Sequence, residues 1–89
     1  MGVLGDPRRH YWLVQGMARA VGVDLARAFE DGRIDRRDWA ETVERCRACD
    51  WVDGCRAWLA AGGAAHVPPG PCRNRARFAL LRLEEELLR

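Results

Sequence analysis

The sequence predicts an all-α fold of about five short helices. Apolar residues recur at helical spacing, capping residues and glycines bound the helical segments, and no stretch alternates in the way a β-strand requires. At 89 residues the chain is expected to form one domain, residues 1–89. In a domain of this size apolar burial only narrowly outweighs chain entropy, so an additional staple is expected.

The first two helices have clear boundaries. Asp6 is expected to cap a helix from Pro7 to about Ala20, because its carboxylate can accept hydrogen bonds from the free N–H groups of the first turn. Proline suits the first helical position because it has no N–H that would lack a partner there. Gly22 ends this helix. A shorter helix follows from Leu25 to Asp31, closed by Gly32 where a left-handed residue is needed.

The third helix begins after Asp35, which is expected to cap it. Ile34 and Trp39 flank this cap at the two positions of a hydrophobic staple. Trp39, Val43 and Cys46 then follow at i, i+4 and i+7, so the first cysteine is predicted on the buried face of the helix.

Two helices are predicted in the second half. Asp53 should cap the fourth, which ends at Gly62, and a glycine- and proline-rich loop over 62–72 follows. Asn74 should cap the fifth, from Arg75 to about Leu88. Its buried stripe is predicted as Ala76, Leu80, Leu83 and Leu87, widened by Phe78, Leu81 and Leu88.

All four cysteines of the chain follow the spacing C-x2-C-x5-C-x16-C. They are Cys46, Cys49, Cys55 and Cys72. The N-terminus lacks an apolar core of signal-peptide length, so a reducing cytoplasm is expected. There, four cysteines favour a metal or cluster site over disulfides.

Three interpretations of the cysteines remain open. A [4Fe-4S] cluster takes one thiolate per iron from four directions, so its ligands can come from a helix, a turn and a distant loop. A structural zinc site has the right ligand number, but such sites usually pair two short Cys-x2-Cys turns. Two disulfides would need an oxidising compartment.

The run C-x2-C-x5-C, formed by Cys46, Cys49 and Cys55, resembles the iron–sulfur motifs of the WhiB-like regulators and of the endonuclease-III-like DNA glycosylases. Where the glycosylase motif places its first cysteine this chain has Trp39. The resemblance implies a [4Fe-4S] cluster whose fourth ligand is Cys72. It does not imply that this chain shares the DNA-repair or transcription-control function of those families.

The chain as a whole resembles a group of short bacterial proteins known only as a domain of unknown function. The matching segments are GDPRRHYWL, MARAVGVDLARAF, RCRACDWVDGCRAWL and PCRN. This resemblance implies that the four cysteines belong to one compact helical unit.

Aromatic and basic side chains lie close to the cysteines in sequence. Tryptophans near a cluster limit the access of water and oxygen, although they could equally fill a small core. The expected shielding residues are Trp39, Trp51 and Trp58. The candidate outer-shell residues are His66, Arg47, Arg56 and Arg73.

The charge distribution bears on partners. The net charge is only +2, but residues 45–83 carry seven arginines against Asp50 and Asp53. This excess suits a centre of four thiolates, and a nucleic-acid surface would also produce it. A protein partner is expected, with nucleic acid as an alternative, and the sequence indicates neither a membrane segment nor a small-molecule substrate.

No Ser–His–Asp set, phosphate-binding loop or catalytic carboxylate pair is found, so the chain is predicted not to be an enzyme. With every iron of a cluster bound by protein, redox or gas sensing or electron transfer is expected. The alternative function is a zinc-stapled adaptor or a nucleic-acid-binding regulatory module.

Overall fold

The computed structural model describes residues 5–62 and 67–88. Within these ranges the chain forms five α-helices and no strand, which confirms the predicted all-α class. The helices are α1 (Pro7–Ala20), α2 (Leu25–Glu30), α3 (Arg36–Arg47), α4 (Val52–Ala60) and α5 (Arg75–Leu87).

The first two helices have nearly the predicted limits. The Asp6 carboxylate accepts a 2.9 Å hydrogen bond from the Arg8 N–H at the start of α1. Asp24 caps α2 by accepting the Arg27 N–H at 3.0 Å. Gly32 follows α2 with a φ of 77°, the left-handed conformation that glycine adopts without strain.

A complete capping box starts α3. Asp35 accepts the backbone N–H of Asp38 at 2.8 Å, and the Asp38 carboxylate accepts the N–H of Asp35 at 2.9 Å. The Asp35 cap was predicted, but the reciprocal role of Asp38 was not. Two otherwise free donors are thereby satisfied at the helix entrance.

The fourth helix begins earlier than the sequence suggested. The Cys55 N–H donates to the Trp51 carbonyl at 2.9 Å, so Trp51 is the N-cap and Val52 the first helical residue. Asp53 lies in the first turn instead of capping the helix, and no side chain caps this end.

The last helix turns a different face inward from the one predicted. Its buried residues are Phe78 and Leu81, whereas Leu80, Leu83 and Leu87 are 56%, 52% and 76% exposed. The helix carries apolar residues on two sides. The core covers Phe78 and Leu81, which were expected only to widen the stripe, whereas Leu88, expected with them, is 68% exposed.

The core is centred on α1, which packs mainly against α3 and also against α4. Fully buried side chains from α1, α5 and the segments between helices fill it, among them Val14, Val21 and Phe78. Three of the partly buried cysteines, Cys46, Cys55 and Cys72, pack against this core. The radius of gyration of 12.6 Å is close to the roughly 12 Å expected of a compact domain of this length.

Candidate metal centre

The four cysteines come from four parts of the fold and line one cavity. Cys46 is near the end of α3, Cys49 lies in the turn after it, Cys55 is in the first turns of α4, and Cys72 lies in the loop before α5. All four are free thiols of intermediate burial. Cys72 thus lines the same cavity as the other three cysteines, and their role as ligands of one centre stays a prediction.

Short turns position the cysteines that lie outside helices. The Cys49 N–H donates to the Cys46 carbonyl at 3.1 Å, which closes the turn after α3. The Cys72 N–H donates to the Pro69 carbonyl at 3.1 Å, and the Arg75 N–H donates to the Cys72 carbonyl at 3.2 Å. These bonds fix the chain direction on both sides of Cys72.

Two of the sulfurs are influenced by the backbone N–H two residues later. The Trp51 N–H donates to Cys49 Sγ at 3.3 Å, and the Asn74 N–H lowers the pKa of the Cys72 thiol. Such bonds stabilise a thiolate relative to a thiol. Both non-helical cysteines therefore have a backbone donor suited to a negatively charged sulfur.

The thiol pKa values reflect burial and mutual repulsion. The pKa of Cys46 is raised to about 12, chiefly by burial and then by the neighbouring Cys55, Cys49 and Cys72, in that order. Burial and the same kind of repulsion, from Cys72 and Cys49, raise the pKa of Cys55 to about 11. Without a nearby positive charge these two sulfurs stay protonated at neutral pH.

The pKa of Cys72 is also raised. Burial is the main cause, and Cys49 adds to it. The Asn74 N–H and the Arg75 guanidinium act in the opposite direction and lower the pKa. Arg75 was not among the residues singled out from sequence, because it lies three positions after Cys72 and only the turn before α5 brings its charge near the sulfur.

The rest of the cavity lining is mostly apolar. Leu13, Val14 and Met17 of α1 lie on one side and Phe78 of α5 on another, with Val52 and Trp51 near the turn. The cavity volume is about 30 Å³. That is room for a water molecule or a single ion, so a larger inorganic group requires the lining side chains to move apart.

Within residues 5–62 and 67–88, no three His, Cys, Asp or Glu side chains already stand at the separations that hold a metal ion. The thiols line one cavity, but they are not drawn together around one point. Metal binding would therefore include a local adjustment of the sulfurs.

The three tryptophans have different positions. Trp51 lines the cysteine cavity. Trp39 instead packs edge-to-face on Phe29 with ring centroids 5.7 Å apart, and Trp58 packs against the core. Of the three, only Trp51 is therefore among the residues of the cavity wall.

The candidate outer-shell residues are also dispersed. Arg73 is exposed and lines the cavity. Arg47 donates through Nε to the Gly5 carbonyl at 2.8 Å and through Nη1 to Glu44 at 2.7 Å. Arg56 borders a separate open hollow beside Trp12, and His66 lies outside the described residues.

The donor set fits a thiolate-bound metal centre. Four thiols, an apolar wall and two backbone N–H donors aimed at sulfur are features that such a centre uses. The raised pKa values of Cys46 and Cys55 are compatible with it, because a bound cation favours the thiolate form and metal binding then releases protons.

The fold and cavity together define a small all-α protein with a four-cysteine cavity. The chain matches the model of a family of unknown function (DUF6455) over residues 1–84 and belongs to that family. No curated protein shows significant sequence similarity to it. No solved structure matches it significantly.

Of the helices described here, none has the length and apolar character needed to cross a membrane.

Proposed function

We propose that this protein is a small iron–sulfur protein in which Cys46, Cys49, Cys55 and Cys72 hold a [4Fe-4S] cluster. The observation that carries the proposal is the meeting of all four free cysteines, from two helices, a turn and a loop, at one apolar cavity. A cluster takes ligands from several directions, which suits this distribution.

The surrounding side chains would serve such a centre in separate ways. Leu13, Phe78 and Trp51 limit water at the sulfurs, and a low-polarity wall is one of the features that set a reduction potential. The Trp51 and Asn74 N–H groups stabilise negative charge on Cys49 and Cys72. The Arg75 guanidinium contributes positive charge near Cys72.

A bound cluster would supply one-electron redox chemistry. Because four protein thiolates leave no site for a substrate on iron, we propose redox or gas sensing or electron transfer, not enzymatic catalysis. Cys72 lies three residues before α5, so release of this cysteine would free the start of that helix. A partner protein that contacts α5 would then respond to the state of the centre.

A structural zinc site is the second candidate, and the cavity volume favours it. A space of about 30 Å³ accommodates one ion with little rearrangement of the wall. The protein would then be a zinc-stapled adaptor for a protein or nucleic acid. In either case the free thiols suit a reducing cytoplasm.

Metal and sulfide analysis after anaerobic purification separates the two candidates. The cluster predicts a brown protein with broad visible absorbance, about four iron atoms and about four acid-labile sulfides per chain. The adaptor predicts a colourless protein with about one zinc ion per chain. A metal-free protein that is fully folded in reducing buffer would contradict both.

A further inference from the structure

The outer side of α5 carries an apolar stripe of Ala76, Leu80, Leu83 and Leu87. The intervals of four, three and four residues are those of the contact positions in a coiled coil. All four residues are exposed, and Leu87 reaches 76% exposure. This set of residues is called the α5 stripe below.

The orientation of the α5 stripe is fixed by the opposite side of the helix. Phe78 and Leu81 are 1% and 2% exposed in the core, and the Asn74 side chain at the start of the helix is bonded to the Thr42 carbonyl. The helix therefore cannot turn to bury the stripe without unpacking the core. A contiguous exposed apolar surface of this kind marks an interaction site.

The charges along α5 indicate which occupant fits. Arginines 75, 77 and 82 lie in its first eight residues, and glutamates 84, 85 and 86 lie near its end. A second α5 packed antiparallel places the basic half of one helix against the acidic half of the other. A parallel pair places like charges side by side, which is unfavourable.

The same antiparallel arrangement matches the apolar contacts. With the pair centred between Leu80 and Leu83, each Leu80 meets the other copy's Leu83, and each Ala76 meets the other copy's Leu87. Arg77 and Glu84 are seven residues apart, so they lie on the same edge of the stripe. Within its own chain, Arg77 uses Nη1 to donate to the Asp38 carbonyl at 2.8 Å and to pair with the Asp38 carboxylate at 3.7 Å, and Glu84 pairs with Arg33 at 3.8 Å. A contact between the two copies would add to these bonds through the remaining nitrogen and oxygen atoms of the two side chains.

We propose that the α5 stripe is a self-association surface on which two copies of the chain pair their α5 helices antiparallel. The interface is isologous, as a twofold dimer requires. Thirteen residues span about 20 Å of helix, which gives an interface at the small end of the usual range. The dimer is therefore concentration-dependent.

Sedimentation velocity over a range of protein concentrations tests this proposal on the full chain. The wild type is expected to shift from monomer to dimer as concentration rises. Leu83→Glu is expected to remain monomeric throughout, because two carboxylates would be buried at the centre of the pair. Leu87→Glu, at the more exposed end, provides a second variant should Leu83→Glu fold poorly.

Leu88→Glu is the matched control, since Leu88 is 68% exposed directly after the last residue of α5 but lies off the stripe. It is expected to dimerise like the wild type. A wild type that stays monomeric at all concentrations overturns the proposal, and so does equal disruption by Leu88→Glu and Leu87→Glu. Because no cysteine is altered, metal and sulfide content can be measured on the same samples. The metal-centre proposal is thereby tested independently of the dimer proposal.

The helix direction is tested by isotope-filtered NMR on a mixture of labelled and unlabelled chains. Contacts between the Ala76 methyl of one copy and the Leu87 methyls of the other are expected. Contacts between the two Ala76 methyls would show a parallel pair and contradict the proposed arrangement.

Discussion

At the scale of single residues, Asp35 couples the entrance of α3 to pH. The Asp38 N–H donates to its carboxylate, and chiefly for this reason the pKa of Asp35 is lowered from 3.8. The unfolded chain then takes up this proton at higher pH than the folded chain does. The stabilisation is present above pH 3.8 and is lost as the pH falls through the lower folded value.

We expect Asp35→Asn to keep the cap but lose this acid sensitivity, because the amide oxygen still accepts the Asp38 N–H and does not titrate. The measurement is the urea midpoint of both proteins from neutral pH to about pH 3. The wild-type midpoint should fall more steeply over the acid range. Parallel curves for the two proteins would contradict the assigned role.

Asn74 illustrates what sequence can and cannot predict about one residue. Its position just before α5 was predicted, but its side chain does not cap the helix. Nδ2 donates to the Thr42 carbonyl at 2.8 Å, and the residue is only 3% exposed. A partner 32 residues away in sequence depends on how α5 meets α3, and local pattern carries no information about that.

Replacing Asn74 with Ala should destabilise the protein by about 1–3 kcal/mol, because the buried Thr42 carbonyl loses its side-chain donor. Gln15→Ala removes an amide that bonds to Tyr11 at the surface and should change stability by less than about 0.5 kcal/mol. Urea unfolding of both variants provides the comparison. Similar small changes would mean that the buried bond contributes little.

At the scale of helices, two glycines inside helices are constrained in opposite ways. A Cβ at Gly54 in α4 would overlap the indole of Trp51, a residue of the cysteine cavity. A Cβ at Gly16 in α1 would meet Leu59 Cδ1 at 3.6 Å, an ordinary contact. The close packing at Gly54 is therefore part of what positions Trp51.

Gly16→Ala should raise stability by up to about 1 kcal/mol through its higher helix propensity. Gly54→Ala should not show this gain, since the new methyl group displaces the Trp51 indole from its place. The test is urea unfolding of the two variants beside the wild type. An equal stabilisation by both substitutions would show that Trp51 is not held against Gly54.

The ends of the helices could be predicted from the sequence more reliably than the helix faces that the core buries. Pro7 to Ala20 and the glycine at 32 were predicted because proline, capping carboxylates and left-handed glycines act within a few residues. The inward face of α5 was wrong. That helix has apolar residues on two sides, and only the position of α1 and α3 decides which side is covered.

For the molecule as a whole, the cysteine spacing predicted that all four cysteines converge on one centre. The fold places all four at one cavity, and a shared centre stays a prediction. Cys46, Cys49 and Cys55 are close in sequence, so a helix end and a turn suffice to bring them near one another. Cys72 follows a loop that contains several prolines. Its place at the same cavity was the hardest to predict, because this cysteine is separated from Cys55 by a whole helix and a loop.

The surroundings of the cysteines could be predicted only in part. Trp51 adjoins Cys49 in the chain and lines the cavity, whereas Trp39 packs on Phe29. Leu13 and Phe78 belong to the apolar wall, yet Leu13 is far from any cysteine along the chain and Phe78 is one of several apolar residues of α5. They are there because α1 and α5 pack beside the turn, which no spacing rule indicates.

The central claim is that four sulfurs hold one inorganic centre, and the distant one tests it most directly. Iron and acid-labile sulfide should be measured in anaerobically isolated Cys72→Ser protein, beside the wild type and an Ala57→Ser control that adds the same hydroxyl on an exposed part of α4. We expect the control to match the wild type and Cys72→Ser to lose most of both elements. Full iron and sulfide content in Cys72→Ser, or none in the wild type, would contradict the account.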